Sequence, residues 1–464
     1  MLHSATGPAN LLDDIARFRA TFEAPVTSAK ELQARLRQIY DTLHDIDFGR
    51  YDIQNHRAEA PAMMQAIFAA QIALRDRIND WHAAGLMTRP VQKAVRDTLR
   101  AARYASDILG EIWIGHARLP EGTDPYPAFT GPHHNTLLAP RFQTGDTSLP
   151  FRSGDVILVR GRLHNSAAIA RIGDVDSQFS HVAMVYVDPR GEHWAVEALI
   201  EDGSVIAPLR DVLRHGLGRA VLFRHRDAAL AQRAATIMHD RIRQSRSTMG
   251  RPILYDFTML IDDNSRNLFC SKLVRRAYKE ASEGRVLLPT FRTQLNMANR
   301  DFPDRIGVRA TETFAPGDME LETQFDVVAE WQDYRVTSDL RLQDLVMDKL
   351  FEWMETENYR FKETFKIKLI SLFGRLSSML SEDIKEIIED VVPKVPINMS
   401  RSAIAAIAML HETAQPLLEA LRKAETARIA TTGLPLHPRE VRDELERLKA
   451  EMGSQIGYLT KARG

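Results

Sequence analysis

The spacing of apolar residues predicts that the first quarter of the chain is helical. The segments SAKELQARLRQIYDTLHDI, PAMMQAIFAAQIALRDRIND and RPVQKAVRDTLRAARYASDIL place apolar side chains three and four positions apart, which gives a helix one apolar face. Ser28 is the expected N-cap of the first segment, with Glu31 three residues later, and Pro90 falls in the first turn of the third. Residues 1–114 are therefore expected to form an N-terminal helical region.

Residues 115–150 interrupt this pattern. They contain six prolines, and proline both fixes the backbone and removes a hydrogen-bond donor. We expect this segment to be a linker or a loop that covers a cleft.

The period changes from helical to alternating at residue 151. GDVILVRG, HVAMVYV, HWAVEALI, GSVIAPL and RAVLFRH are short β-rich runs separated by Gly, Pro and Asp, which predicts an antiparallel meander of about five strands. A helix over 227–244 and a second helix beginning near Cys270 follow. Residues 151–335 are thus expected to form an α+β domain.

The remaining residues, 336–464, are again expected to form a helical region. Within it, FKIKLISLFGRLSSML is amphipathic, with lysine and arginine among large apolar residues. A helix that lies on a membrane surface is one interpretation. Packing against the α+β domain or against a second subunit is the other, and it is the more common use of such a face.

Composition narrows the class of protein. A chain of 464 residues is long enough for two or three domains. Its 61 Lys and Arg against 62 Asp and Glu give no overall positive field, which disfavours nucleic acid as a partner. No signal peptide and no run near the roughly 18 apolar residues of a membrane span is present, so we expect a cytoplasmic protein, with leaderless export left open.

Cys270, in NLFCSKLVRRAY, is the only cysteine of the chain. A single cysteine excludes an intrachain disulfide and a cysteine-cluster metal site, and it fits a reducing compartment. If Asn267 is the N-cap, Cys270 lies in the first turn of a helix, where free N–H groups favour a thiolate and can line an oxyanion hole. Taken alone, this stretch favours the interpretation of Cys270 as a small buried core residue.

His181 and Glu197 are the candidate partners of the thiol. DPRG, residues 188–191, predicts a tight turn between two strands, and a three-residue hairpin loop ending on glycine makes Glu197 face Ala183. Glu197 is then diagonal to His181 on one face, whereas a register slip of one residue would separate the two side chains. A histidine that acts as a base needs such a carboxylate to hold its tautomer.

Four blocks in order resemble the YaeF/YiiX group of permuted papain-like hydrolases, within the NlpC/P60 superfamily. They are SGDVILVRG, SQFSHVAMVY, AVEALIEDGSVIAPL and, after GRPILYDFTMLIDD, LFCSKLVRRAY. The resemblance implies that Cys270 is the nucleophile, His181 the general base and then acid, and Glu197 the orienting acid. Tyr255 and Asp256 match a pair that lies beside the site in that family. Lys272 departs from the pattern, because relatives more often carry an acidic residue there.

The resemblance implies a cysteine hydrolase of the amidase or peptidase type that works through a thioester on a small-molecule, lipid-amide or peptide substrate. An acyltransferase or thioesterase, an effector that acts on a protein, and a non-catalytic interaction module are the alternatives. Peripheral membrane contact and an oligomer formed through the helical regions are also left open.

We expect no cofactor and no metal. His133 and His134 are adjacent in the Pro-rich segment, but no carboxylate at ligand spacing accompanies them. The sequence has no GxSxG, HExxH, GxGxxG or P-loop pattern. Four other histidines flank the predicted strands and are assigned to surface or core packing: His164, His193, His215 and His225.

Overall fold

The computed structural model describes residues 10–44, 51–53, 57–116, 124–129, 133–143, 150–174, 176–214, 216–247, 250–262, 264–295, 297–364, 367 and 396–462. None of the helices in these ranges is long and apolar enough to cross a membrane.

Helices of the N-terminal region form one layer. They are α1 (Leu11–Glu23), α2 (Ala29–His44), α3 (Ala60–Asp76), α4 (Ile78–Ala83) and α5 (Arg89–His116). The predicted cap of α2 is present, because the Ser28 hydroxyl accepts the backbone N–H of Glu31 at 3.2 Å. Pro90 is the second residue of α5, as expected. α2 and α3 both pack against α5, whose buried residues join the largest apolar core of the protein.

The central element is a seven-stranded sheet in the strand order β1-β9-β6-β2-β3-β4-β5. Every neighbouring pair of strands is antiparallel. The five strands predicted from the sequence are all present: β2 (Val156–Gly161), β3 (His181–Val187), β4 (His193–Leu199), β5 (Gly203–Pro208) and β6 (Leu217–His225). β2 to β5 form the predicted meander, and β6 returns to pair with the free edge of β2.

Two strands at one edge of the sheet were not predicted. β1 (Thr136–Leu138) comes from the Pro-rich segment and pairs with β9 (Phe325–Gln332), which pairs in turn with β6. The same segment forms the short helix α6 (Pro125–Ala128), and Tyr126 Oη lies 2.5 Å from His193 Nδ1. The described part of the segment is therefore joined to the sheet as an edge strand.

Both faces of the sheet are covered, which explains the nearly continuous apolar runs in its strands. One face buries Val156, Leu158 and Val221 together with α5, α9 (Ala228–Ser247) and α10 (Cys270–Ala281). The opposite face buries its apolar side chains against α6 and α8 (Leu209–Arg214). Three shorter elements follow α10: β7 (Thr293–Gln294), α11 (Asp301–Ile306) and β8 (Glu312–Thr313).

The C-terminal region is largely helical, as predicted. α12 (Thr337–Glu357), α13 (Arg401–Thr432) and α14 (Pro438–Met452) share a second core, which reaches the short helix α7 (His164–Ile169) of the α+β domain. Three short strands form a small separate sheet that the sequence did not predict: β10 (Tyr359–Phe361), β11 (Gln455–Ile456) and β12 (Leu459–Lys461). The amphipathic segment 365–380 lies outside the described residues except for Ile367.

Candidate active site

Cys270 is the first residue of α10, and its side chain is buried. The N-cap is Phe269, which makes no side-chain capping bond, so the prediction that Asn267 caps this helix is wrong. Leu268 instead exchanges backbone hydrogen bonds of 3.1 and 3.2 Å with segment 254–256, and this pairing fixes where the helix begins. The first N–H groups of a helix have no intrahelical partner and favour negative charge, so the thiol lies where a thiolate is stabilised.

His181 and Glu197 meet where two strands separate. β3 and β4 pair from Val187↔His193 to Met184↔Val196, which is the register predicted from the turn. Beyond that pair, β3 continues beside β2 as far as His181, and β4 continues beside β5. His181 Nε2 lies 2.7 Å from Glu197 Oε2. The carboxylate of Glu197 is buried, whereas about a fifth of the His181 side chain (22%) stays exposed.

The thiol of Cys270 lies beside this opening between the strands. The backbone N–H of Val182, the second residue of β3, and the His181 ring both interact with Sγ in a way that favours the thiolate. Because Nε2 of the ring is engaged by Glu197, we infer that Nδ1 faces the sulfur. Ser271 Oγ lies 3.8 Å from Sγ. These contacts give the three side chains the order thiol, imidazole, carboxylate.

The pKa values of the pair favour a thiolate and an imidazolium. Burial on its own raises the pKa of the Cys270 thiol, but the hydrogen bond and the charge of His181 outweigh burial and lower it. Burial on its own lowers the pKa of His181, but hydrogen bonds to Cys270 and Glu197 raise it to about 10. The imidazole therefore carries the proton, and the sulfur is in its nucleophilic thiolate form near neutral pH.

The comparisons with known proteins give one match, to a protein family. Residues 150–324 match the model of a family described as permuted papain-like amidase enzyme, YaeF/YiiX, C92 family. This part of the chain is similar to that family, and we refer to it as the permuted papain-like domain. No curated protein and no solved structure matches the chain. The match covers less than half of the chain and ends just before β9, so the helical regions on both sides are outside it.

The two residues predicted to lie beside the site, Tyr255 and Asp256, have different surroundings in the permuted papain-like domain. Tyr255 lines the cleft at Cys270, and burial raises the pKa of its hydroxyl well above the usual value. Asp256 does not line the cleft and instead forms an ion pair with Lys272. Asp256 Oδ2 lies 2.6 Å from Lys272 Nζ, and both side chains are buried. Lys272, the departure from the family pattern, is thus neutralised by Asp256. The pair ties α10 to the loop that carries Tyr255.

A cleft opens on Cys270 and has an empty volume of about 1100 Å³, counted out to its open mouth. The permuted papain-like domain supplies most of its walls, through α7, α11, the 255–259 loop and the start of α10. The remaining wall comes from α13 in the C-terminal region. The cleft is therefore built from parts of the chain that are far apart in sequence.

Sequence reasoning missed two contributors to this site. Glu201 follows β4, lines the cleft, and interacts electrostatically with His181, and burial raises the pKa of its carboxyl. Its position four residues after Glu197, in the turn before β5, was a signal that the sequence offered. The wall from α13 had no such signal, because nothing in a helical pattern tells which helix it will pack against.

Among the described residues, the histidines that flank the strands have the packing contacts predicted for them, whereas His133 and His134 are partly buried instead of solvated as their loop position suggested. The rings of His133 and His134 lie 3.9 Å apart, and burial lowers the pKa of both. His164 Nε2 lies 2.9 Å from Gln415 Oε1, and the His225 ring packs edge-on against Phe325. His215 lies outside the described residues. Within the described ranges, no three or more His, Cys, Asp or Glu side chains are grouped as metal ligands.

Proposed function

We propose that the protein is a cysteine amidase in which Cys270, His181 and Glu197 carry out acyl transfer. The family match supports a hydrolase of the amidase type. The observation that supports these residue roles is that the His181 ring interacts with the Cys270 thiol and bonds to the Glu197 carboxylate at 2.7 Å, with the thiol on the wall of a cleft.

The reaction proceeds in two halves. The Cys270 thiolate attacks the amide carbonyl, and the first N–H groups of α10 stabilise the oxyanion. His181 donates its proton to the leaving nitrogen as the C–N bond breaks, which leaves a thioester. The neutral imidazole then takes a proton from water, the water oxygen attacks the thioester, and the carboxylic acid and the thiol are released. Glu197 holds the ring in one orientation throughout.

The substrate is proposed to be a lipid amide or a peptide amide. An amine or hydroxyl that replaces water in the second half would make the same site an acyltransferase, and a thioester substrate would make it a thioesterase. All three activities use the same acyl-enzyme, so a product analysis with and without added amine separates them.

We further propose that the catalytic unit extends beyond the permuted papain-like domain. Segment 396–400 reaches the site directly, since Asn398 Nδ2 donates to the carbonyl of Tyr255 at 2.7 Å. Met399 and Ile404 pack beside Ile200 and Phe257, which flank the cleft. The C-terminal region therefore supports the site as well as lining it. The division of the chain into regions 1–114, 115–150, 151–335 and 336–464 remains a prediction from the sequence.

Alkylation of the single cysteine tests the proposal. Because Cys270 is the only cysteine, the intact mass after iodoacetamide treatment reports this thiol alone. We expect the rate to reach its plateau at a pH well below the ordinary thiol pKa of about 8.5, and His181→Ala to move the midpoint upward.

His239→Ala is the matched control, since His239 also pairs with a carboxylate, Asp240, at 3.1 Å but does not line the cleft. It should leave the midpoint unchanged. If the wild-type thiol titrates like free cysteine and His181→Ala changes nothing, the protein is a papain-like interaction module instead of an enzyme.

A further inference from the structure

The C-terminal helix α13 closes one side of the cleft that contains Cys270. Ala403, Ile407 and Leu410 of this helix lie on the cleft wall at a spacing of three and four residues, which is one face of a helix. Opposite them are apolar side chains of the permuted papain-like domain, among them Ile172 and Phe314. A region outside the family match thus determines the shape of the substrate cleft.

The lining of the cleft is mostly apolar and carries few charges. Among the described residues that line the cleft, none is a lysine or an arginine, and Glu201 is the one acidic residue. His164 contributes no charge near neutral pH, because burial lowers its pKa to about 4, and its ring packs edge-on against His411 at 5.0 Å. A phosphate or carboxylate headgroup would find no lysine or arginine among these described lining residues. An extended peptide would leave many backbone groups without partners, which is costly in a buried site.

The polar groups that remain lie together near the reacting atoms. Glu201 interacts electrostatically with His181, and Tyr255 interacts with both Cys270 and Glu201. This corner suits the nitrogen side of an amide, which becomes a basic amine when the C–N bond breaks. The rest of the cleft suits a hydrocarbon chain, since apolar lining with few polar groups is typical of pockets for such ligands.

We propose that the cleft between the permuted papain-like domain and α13 binds a long hydrocarbon chain on the acyl side of the substrate. The substrate is then a long-chain N-acyl amide, and α13 sets the preference for chain length. The catalytic part of this proposal rests on the proposed function, whereas the binding of the chain does not. The products of one turnover are a long-chain carboxylic acid and an amine.

Binding tests the cleft without any turnover. The Cys270→Ala variant is titrated with acetyl-p-nitroanilide and with dodecanoyl-p-nitroanilide. Burial of the ten additional methylenes removes apolar surface from water, so affinity should rise at least about 100-fold even when burial is incomplete. Ile407 lies on the cleft wall, so adding Ile407→Trp to the Cys270→Ala variant should lower the affinity for the dodecanoyl anilide at least about tenfold. Lys423→Trp, exposed on the same helix, should leave this affinity unchanged.

Turnover of the same anilides by the protein with Cys270 intact gives the second readout. We expect kcat/KM to rise with acyl length, and Ile407→Trp to reduce it by a larger factor for the dodecanoyl than for the acetyl substrate. Equal affinity for both chain lengths, or an equal effect of Ile407→Trp on both, would overturn the proposal. So would a preference for N-dodecylacetamide, which carries its chain on the amine.

The two proposals fail in different ways. Long-chain binding with no hydrolysis, or hydrolysis that survives Cys270→Ala, contradicts the proposed function and leaves the cleft as a binding site. Hydrolysis through Cys270 without any preference for a long acyl chain contradicts only the inference about α13.

Discussion

Two of the groups of buried charges that lie against the central sheet differ in their access to a cleft, and only one of these two has the features of an active site. The first, called here the catalytic group, consists of the residues of the proposed triad, Cys270, His181 and Glu197. The second, called here the arginine cluster, consists of four residues from α5, β6 and β9: Arg103, Asp107, Arg219 and Glu330. Both contain charges that burial would penalise if they were unpaired.

The arginine cluster is closed to solvent and to the cleft. Arg103 Nε and Arg219 Nε lie 3.2 and 3.4 Å from the two carboxylate oxygens of Glu330, and Arg219 also bonds to Asp107. Each of the four side chains is at least nine-tenths buried, and none of them lines the cleft. Its charges therefore hold α5 against the sheet and meet no substrate.

The catalytic group is open. The His181 ring is partly exposed, Cys270 lies on the cleft wall, and the charge of each can change by moving one proton between them. The comparison shows that a buried charge does not by itself indicate chemistry. What marks a site is a nucleophile with a tunable partner at the surface of a cleft.

The largest effect is expected from Cys270→Ala. Removal of the nucleophile should lower amide hydrolysis by at least about 1000-fold, because the thioester route is lost. The free energy of unfolding should change by only about 1 kcal/mol, as one small buried atom is removed. Steady-state rates and urea unfolding check both. Residual activity within tenfold of the wild type would contradict the assignment.

Glu330→Gln should show the opposite behaviour. It removes the carboxylate that two buried guanidinium groups share, while Arg103 keeps Glu320 and Arg219 keeps Asp107 as partners. Loss of a buried hydrogen-bonding charge with its partners still paired elsewhere should cost about 1–3 kcal/mol of stability. Urea unfolding measures the loss. The alkylation rate of Cys270 below the unfolding transition should stay at the wild-type value. A slower rate in the folded variant would mean that the two groups are coupled, and the comparison would fail.

Glu197→Gln should lower kcat by about 10- to 100-fold, within the range that positioned acid–base groups contribute. The negative charge beside Nε2 raises the pKa of His181, so the amide should lower it. The alkaline limb of the pH–rate profile should therefore move to lower pH. Glu192→Gln is the control, because Glu192 is an exposed residue in the turn before β4. An unchanged limb would remove Glu197 from the triad.

The smallest effect is expected on the pH dependence of stability. His181 has a pKa of about 10 when folded and about 6.5 when unfolded, so its contribution is complete below about pH 6.5 and disappears as pH rises to 10. The lowered pKa of Cys270 acts oppositely: its contribution is complete above about pH 8.5 and is lost as pH falls through the folded value.

The two slopes oppose each other where they overlap, so the net loss of stability from this pair should fall between about pH 8.5 and 10. Urea unfolding of the wild type and of Cys270→Ala/His181→Ala at closely spaced pH values measures it. The double variant should show a shallower decline in this window. Parallel curves would contradict the ion pair.

The sequence predicted those parts of the site that depend on local structure. The turn at 188–191 determines the register of β3 and β4, and this register places Glu197 beside His181. The strands β2 to β6 were visible because alternation and turn residues bound each of them. These features arise within about twenty residues, where spacing carries most of the information.

The parts that escaped prediction depend on long-range packing or on backbone angles. β1 is three residues long and becomes a strand only because β9 pairs with it. The cap of α10 falls on Phe269, since the pairing of Leu268 with the 254–256 segment sets where the helix begins. The wall of the cleft that α13 forms depends on packing across more than a hundred residues of sequence.

Trapping the acyl-enzyme tests the central claim most directly. The protein is mixed with a dodecanoyl p-nitrophenyl ester, quenched in acid within a fraction of a second, and weighed intact. We predict one dodecanoyl adduct that maps to Cys270, is released by hydroxylamine as a thioester, and is absent from Cys270→Ala. An equal adduct on Cys270→Ala, or steady hydrolysis by the wild type with the thiol alkylated, would contradict the account.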